Sequence, residues 1–312
     1  MLSRSVPVLA AALGLALVAC QASKAKSTSG GGGTAPTPGS VVDTPTSLTI
    51  YTPAFTAPSG DSYTCMYLNY STTEELTLTS TLGHQSKGGH HILAYYADTP
   101  HPVSTHPCSN EEMVSLRQIG GGGADGVPIL ALPEGLALKV PAGKQIVIQS
   151  HYINTSNTPI NATDSVVLNK GSAASVKSYV NFFAVDDEGF QIPPNAPYSH
   201  TTECTVPSDL QIALGLPHMH ELGTHFKLEI LDASGNLVNT LIDTDWAALY
   251  ASHPPVQTWP MSTPYVLKQG QRIRQTCSWN NSTSSPVLFP TEMCVGYFYY
   301  WPGNGDISCP TM

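Results

Sequence analysis

The stretch His225-Phe226-Lys227-Leu228-Glu229-Ile230-Leu231 alternates apolar and polar side chains through its centre. Successive side chains of a strand point to opposite faces, so this segment predicts a strand with one buried face and one wetted face. The same reading extends outward from it. Leu76–Thr79, Gln145–Gln149 (QIVIQ), Val180–Val185 (VNFFAV) and Val295–Trp301 (VGYFYYW) favour strands, and turn signals between such runs recur about every eight to twelve residues. A helix is expected only near Asn110–Ile119 (NEEMVSLRQI). Charged residues are 11% of the chain, too few for long solvent-facing helices. The expected fold class is all-β, a sandwich or jelly roll. The weakly patterned Gly171-Ser172-Ala173-Ala174 places a domain boundary between 47–172 and 173–312.

The N-terminus has its own logic. Met1–Arg4 is short and basic, and Val6–Val18 is an apolar run too short to span a bilayer, as in a secretory signal. The run ends in Leu17-Val18-Ala19-Cys20, which resembles a bacterial lipobox, where cleavage precedes a cysteine that is then acylated. Residues 1–20 are therefore expected to be a lipoprotein signal with Cys20 as the lipidated residue. Residues 21–46, mostly Ser, Gly, Lys, Thr and Pro, are expected to be a flexible tether. The chain should be exported and anchored to the bacterial cell envelope, at the periplasm or cell surface. Gln21 after the cysteine fits the outer membrane. A net charge of −9 argues against nucleic acid as a partner, and a monomer is expected. Of seven cysteines, Cys20 leaves six; an even number in an exported chain predicts three disulfides, with about 15 possible pairings.

Three histidine clusters carry the chemistry: His90-His91 in GGHHILAYY, His151 in QIVIQSHYIN, and His218-Met219-His220 in LPHMHELG. Residues two apart on a strand share a face, so His218 and His220 can close on one metal ion while Met219 points away. His90 and His91 would normally diverge and can converge only at a strand end or bulge, which Gly88 and Gly89 would permit. His151 ends an alternating strand and can supply a third imidazole. Imidazole-only sites suit zinc or copper, and a thioether shifts the balance to Cu(I). Taken singly, an HxH on a strand is more often a polar face, and an isolated Met is more often core filler.

In combination the motifs resemble the copper type II, ascorbate-dependent monooxygenases, the family of peptidylglycine α-hydroxylating monooxygenase and dopamine β-monooxygenase. The likeness runs in order from DSYTCM (Asp61–Met66) to Cys309. It includes His90-His91, the HY step His151-Tyr152 with Gln149 before it, HxH followed by Leu222-Gly223, and Glu292-Met293-Cys294 before YFYY. The resemblance implies two tandem jelly-roll domains with two copper ions across an open, solvent-filled cleft. His90, His91 and His151 would hold an electron-transferring copper; His218, His220 and Met293 would hold the copper that meets oxygen. Each cycle would use O2 and two electrons from ascorbate or another one-electron donor to hydroxylate a C–H bond of a small organic substrate. The resemblance also implies the pairs Cys65–Cys108, Cys204–Cys309 and Cys277–Cys294, and makes Tyr63, Gln149 and Tyr297 candidates for the cleft wall. The peptide hydroxylase carries an arginine two residues before HxH and an asparagine two after the methionine. Leu216 and Val295 stand there instead, so a peptide carboxylate is not expected to be gripped.

His84, His101, His106, His200, His225 and His253 are expected to be surface or structural, and the acidic run Asp186-Asp187-Glu188 a solvated loop, with Glu292 a possible partner to the ligands. Two other functions compete. A non-catalytic copper-binding or copper-delivery lipoprotein would keep the ligands without a substrate cavity. A zinc hydrolase would want a general base placed beside the histidines as in HExxH enzymes, a motif this chain does not contain.

Overall fold

The segment around Phe226 is a strand, Gly223–Leu231, in the computed structural model of the chain, with Phe226, Leu228 and Ile230 buried. On the other face Glu229 pairs with Arg274 and Lys227 at 2.9 and 3.2 Å. The structure describes residues 37–309 apart from 124, 125 and 127. The signal, Cys20 and the tether up to residue 36 lie outside the described residues. Nearly all regular structure is strand.

Two strand layers build the first half. One runs in the order Val41–Asp43, Ser47–Tyr51, Ser165–Lys170, Leu76–His84, Leu136–Val140. The other runs Ser104–Pro107, Gly60–Ser71, Gln145–Asn154, Gly89–Ala97, Arg117–Gly123. Leu48, Ile50 and Leu168 of the first layer meet Met66, Ile92 and Ile148 of the second in one core. In the second half, Ser178–Asp186, Val295–Trp301 and Leu210–His218 form one layer. Ala196–Thr205, Arg272–Asn281, Gly223–Leu231 and Leu237–Asp245 form the other, and Phe183, Phe298, Phe226 and Trp279 share its core. The architecture is thus a pair of β-sandwiches with antiparallel pairing throughout most of each. A short parallel pairing of Leu136–Leu138 with Ser178–Val180 joins one layer of each half into one eleven-stranded sheet. Residues 172 and 173, where sequence patterning weakens, sit at the Ala173–Ser175 3-10 turn just before this pairing.

Two expectations need correction. The helix is shorter than the sequence suggests: it covers Asn110–Ser115, closed by a Ser109–Glu112 capping box, and Arg117 already begins a strand. The folded body also starts earlier than residue 47, because Val41–Asp43 pairs with Leu48–Ile50. An edge strand of so few residues lacks the length for a periodic signal. The disulfides Cys65–Cys108, Cys204–Cys309 and Cys277–Cys294 form as expected, which fits an oxidising compartment. Among the described residues no helix is long and apolar enough to cross a membrane.

Candidate metal centre

The first histidine group is made by a bulge. His151 pairs with His91, but Tyr152 pairs with Gly89, so His90 is the extra residue between them. A bulge re-aims one side chain, and His90 and His91 consequently turn to the same side. Gly88, just before, has φ +93°, a backbone geometry that a residue with a Cβ resists. The three Nδ1 atoms converge: His90 to His151 is 3.1 Å, His90 to His91 3.3 Å, and His151 to His91 3.5 Å. The far side of His151 is held by Asp61, whose Oδ1 lies 2.6 Å from Nε2. That contact puts the ring proton on Nε2 and leaves the Nδ1 lone pair for a metal. Burial pushes the Asp61 carboxyl up, but the His151 hydrogen bond and the neighbouring imidazoles outweigh it and hold it below the ordinary carboxylate value. Beneath, Gln85 donates to the His151 carbonyl and to Asp164, and buried Asp164 also accepts from Ser150 and Tyr152 at 2.8 and 2.6 Å.

The second group sits at the end of the Leu210–His218 strand. Met219 is buried in the core of the second sandwich, pointing away from the imidazoles. His220 Nδ1 donates to the Thr291 carbonyl at 3.0 Å, which leaves Nε2 buried and without a partner. A buried, unpaired acceptor is costly unless something binds it. Glu292 ties this loop to the methionine: its carboxylate accepts from His220 N (3.0 Å), Leu222 N (2.6 Å) and Trp279 Nε1 (2.9 Å). Burial pushes Glu292 up to about 7 against the pull of those donors. Met293 follows directly, and Cys294 pins its strand to Cys277.

The two groups adjoin. Ring centroids of His91 and His218 are 6.3 Å apart and those of His151 and His220 5.9 Å. His91, His151 and His220 are only 5, 2 and 4% exposed. The two histidine groups therefore lie within one ring's breadth of each other. Beside the histidines lies a cavity of about 510 Å³. His91, His218, His220 and Met293 reach its wall, as do all three cleft candidates, Tyr63, Gln149 and Tyr297. Tyr63 stacks on His151 at 4.0 Å, and Tyr297 lies 5.9 Å from His218. Leu216 and Val295 also face this space, with Leu93, Phe182 and Ile129 as further apolar wall. Desolvation, reinforced by the neighbouring imidazoles, lowers His90 to about 3 and His220 to about 4. Burial likewise drives His91 and His218 well below the ordinary value. At neutral pH these rings are neutral and can offer lone pairs.

Sequence reasoning missed several participants. Asp61 stands at the head of a quoted motif, yet nothing in its spacing marks it as the partner of a histidine ninety positions on. Asp164 has no local signal at all. The acidic run is not wholly solvated: Asp187 is buried and pairs with His200 at 2.6 Å, though Glu188 is exposed. His225 and His106 pair with carboxylates away from the centre, as structural histidines do.

No family model matches this chain, and no curated protein matches it. Among solved structures, the major capsid protein P2 of bacteriophage PM2 aligns with 83% of this chain and 93% of its own, at 12% identity and a TM-score of 0.36. The Sulfolobus turreted icosahedral virus structure aligns with 82% of this chain and 56% of its own, at 14% identity and a TM-score of 0.22. At these scores the likenesses carry no argument about function, and the all-β assignment rests on the strands themselves.

Proposed function

We propose that this chain is a copper-dependent monooxygenase that hydroxylates a C–H bond of a small organic substrate. The observation that carries the reading is the convergence of three Nδ1 atoms within 3.1–3.5 Å, beside a second group whose His220 Nε2 is buried and unpartnered. Three imidazole nitrogens that close together and facing one another form a ready set of donors for one metal ion. The donor chemistry fits copper: an all-imidazole set in one group, imidazoles and a thioether lining one wall in the other.

His90, His91 and His151 would hold one ion, and His218, His220 and Met293 the second. Bound copper supplies one-electron chemistry that uses O2 and two electrons from an external donor such as ascorbate, placing one oxygen atom in the substrate and releasing the other as water. The chain's own residues set the conditions. Asp61 and Thr291 fix opposite tautomers, so that His151 presents Nδ1 and His220 presents Nε2. Leu93, Ile129, Phe182 and Leu216 keep the cavity wall apolar and hold organic substrate against the second group. Leu216 offers no charge to pair with a carboxylate, so glycine-extended peptides are poor substrates in this reading. Export and anchoring to the envelope through Cys20 complete the proposal, with the disulfides as the feature that supports export.

Oxygen consumption by the copper-loaded soluble chain, with ascorbate and a panel of small apolar substrates, tests the reading. Uptake that depends on substrate and is lost in Met293→Ile supports a monooxygenase. Bound copper with no oxygen uptake across the panel assigns the chain to copper delivery instead.

A further inference from the structure

A second cavity, of about 660 Å³, lies against the same wall as the first, and Tyr63 lines both. Its position relative to the histidines is specific. Asp61 lines it with a side chain 46% exposed while holding His151 Nε2 at 2.6 Å. Thr291 lines it too, and the Thr291 carbonyl accepts from His220 Nδ1. A molecule in this groove is thus one hydrogen bond removed from an imidazole of each group, yet His90, His91, His218 and Met293 do not line it.

The chemistry of the groove selects its occupant. Ser62 Oγ and Tyr63 OH are buried without a hydrogen-bond partner, and Thr105 adds an exposed side chain, while the Thr56 hydroxyl donates to Asn161 at 3.1 Å. Phe55, Pro58, Pro107 and Pro290 supply flat apolar flanks. No lysine or arginine is among its described lining residues, and His106 is already engaged with Glu112 at 2.7 Å. A carboxylate with no neighbouring free cation disfavours an anion and favours a neutral hydroxyl donor.

Resting on the monooxygenase reading, we infer that this groove is the docking site of the electron donor, and that the donor is a small neutral diphenol of the hydroquinone or catechol class. One hydroxyl donates to Asp61 and the ring lies against Phe55 and the prolines. Each encounter removes one electron and one proton from the diphenol. The electron would reduce Cu(II) to Cu(I) where His90, His91 and His151 would hold that ion, and the proton would go to the solvent to which the groove opens. Two encounters oxidise the diphenol to the quinone and deliver the two electrons that one hydroxylation consumes. Substrate and donor then use two separate cavities that share Tyr63 and do not compete.

Binding of 1,4-hydroquinone to the metal-free soluble chain, followed by saturation-transfer NMR, tests this directly. Thr56→Trp and Thr105→Trp substitute exposed positions of the groove wall that are not candidate metal ligands. Either should weaken hydroquinone binding about ten-fold or more, the scale of a lost buried polar contact set. Leu93→Trp, in the first cavity, should leave it unchanged, and 1,4-dimethoxybenzene, which cannot donate, should not bind. In the copper-loaded chain without oxygen, the rate at which hydroquinone bleaches the Cu(II) EPR signal should saturate with concentration and lose saturation in Thr105→Trp. Absence of binding, binding lost through Leu93→Trp but not Thr105→Trp, or tighter binding of ascorbate than of hydroquinone overturns the inference. Groove binding in a chain that takes up no copper would instead sink the monooxygenase reading, and the donor role with it.

Discussion

Asp61 and Glu292 act on the candidate ligands without being ligands. Asp61 determines which nitrogen His151 presents, so Asp61→Asn should weaken copper binding at the first group by about ten-fold or more and leave the second group's occupancy intact, read by competition titration with a chelator. An asparagine can offer either an acceptor or a donor to Nε2, so the tautomer is no longer imposed. Glu292 has a structural role: three N–H groups converge on its carboxylate inside the second sandwich. Glu292→Ala leaves those donors buried and unpaired, and urea denaturation should show a loss of about 3 kcal/mol or more. Of these two roles, Glu292 was partly legible beside Met293. Asp61 was not, because the strand pairing that brings Tyr63 opposite His151 is a long-range fact.

At the scale of elements, the centre depends on how closely the strand Gly89–Ala97 is packed by its neighbour Arg117–Gly123. A Cβ at Gly121 would stand 2.1 Å from the Ile92 carbonyl, so Gly121→Ala must push this strand pair apart. The expected cost is about 1–3 kcal/mol in denaturant midpoint, with reduced copper occupancy because His91 shares the pairing. The Cys277–Cys294 bridge closes a short loop, sequence separation 17, beside Met293. Its removal should cost about 3 kcal/mol and affect the methionine group before the triad. The strands around Phe226, Ile146 and Phe298 were legible because each alternates or runs long enough to bury a face. The bulge at His90 was legible only as a permission granted by Gly88 and Gly89. The Asn110 helix was overestimated because its polar start caps a helix while Ile119 already lies in the next strand, at a register shift between Gln118 opposite Tyr95 and Gly120 opposite Ala94.

For the whole molecule, two sandwiches fused by one parallel pairing bring histidines from positions 90 to 220 into one cluster, with His91, His151 and His220 buried and His90 and His218 half-buried. No periodicity could reveal that the groups adjoin, since it depends on how the halves meet across Leu214, Leu216 and Tyr299. Burying four low-pKa imidazoles has a stability consequence. The folded chain binds fewer protons than the unfolded one wherever pH lies between the depressed values, about 3 for His90 and about 4 for His220, and the ordinary 6.5. Stability of the metal-free protein therefore rises with pH across that window and falls on acidification. Glu292, raised to about 7, contributes the opposite slope between its ordinary 4.5 and 7, but as one group against four. Thermal unfolding of the metal-free chain should accordingly show a higher Tm at pH 6.5 than at pH 4.5. Copper should add stabilisation that grows with its free concentration.

The most direct test of the central claim is the number of copper ions bound per chain by the soluble protein, counted in parallel for His151→Ala and Met293→Ile. Two are expected in the parent, with each substitution emptying or weakening its own site and sparing the other. One copper or none in the parent, or a loss shared equally by both variants, would contradict it.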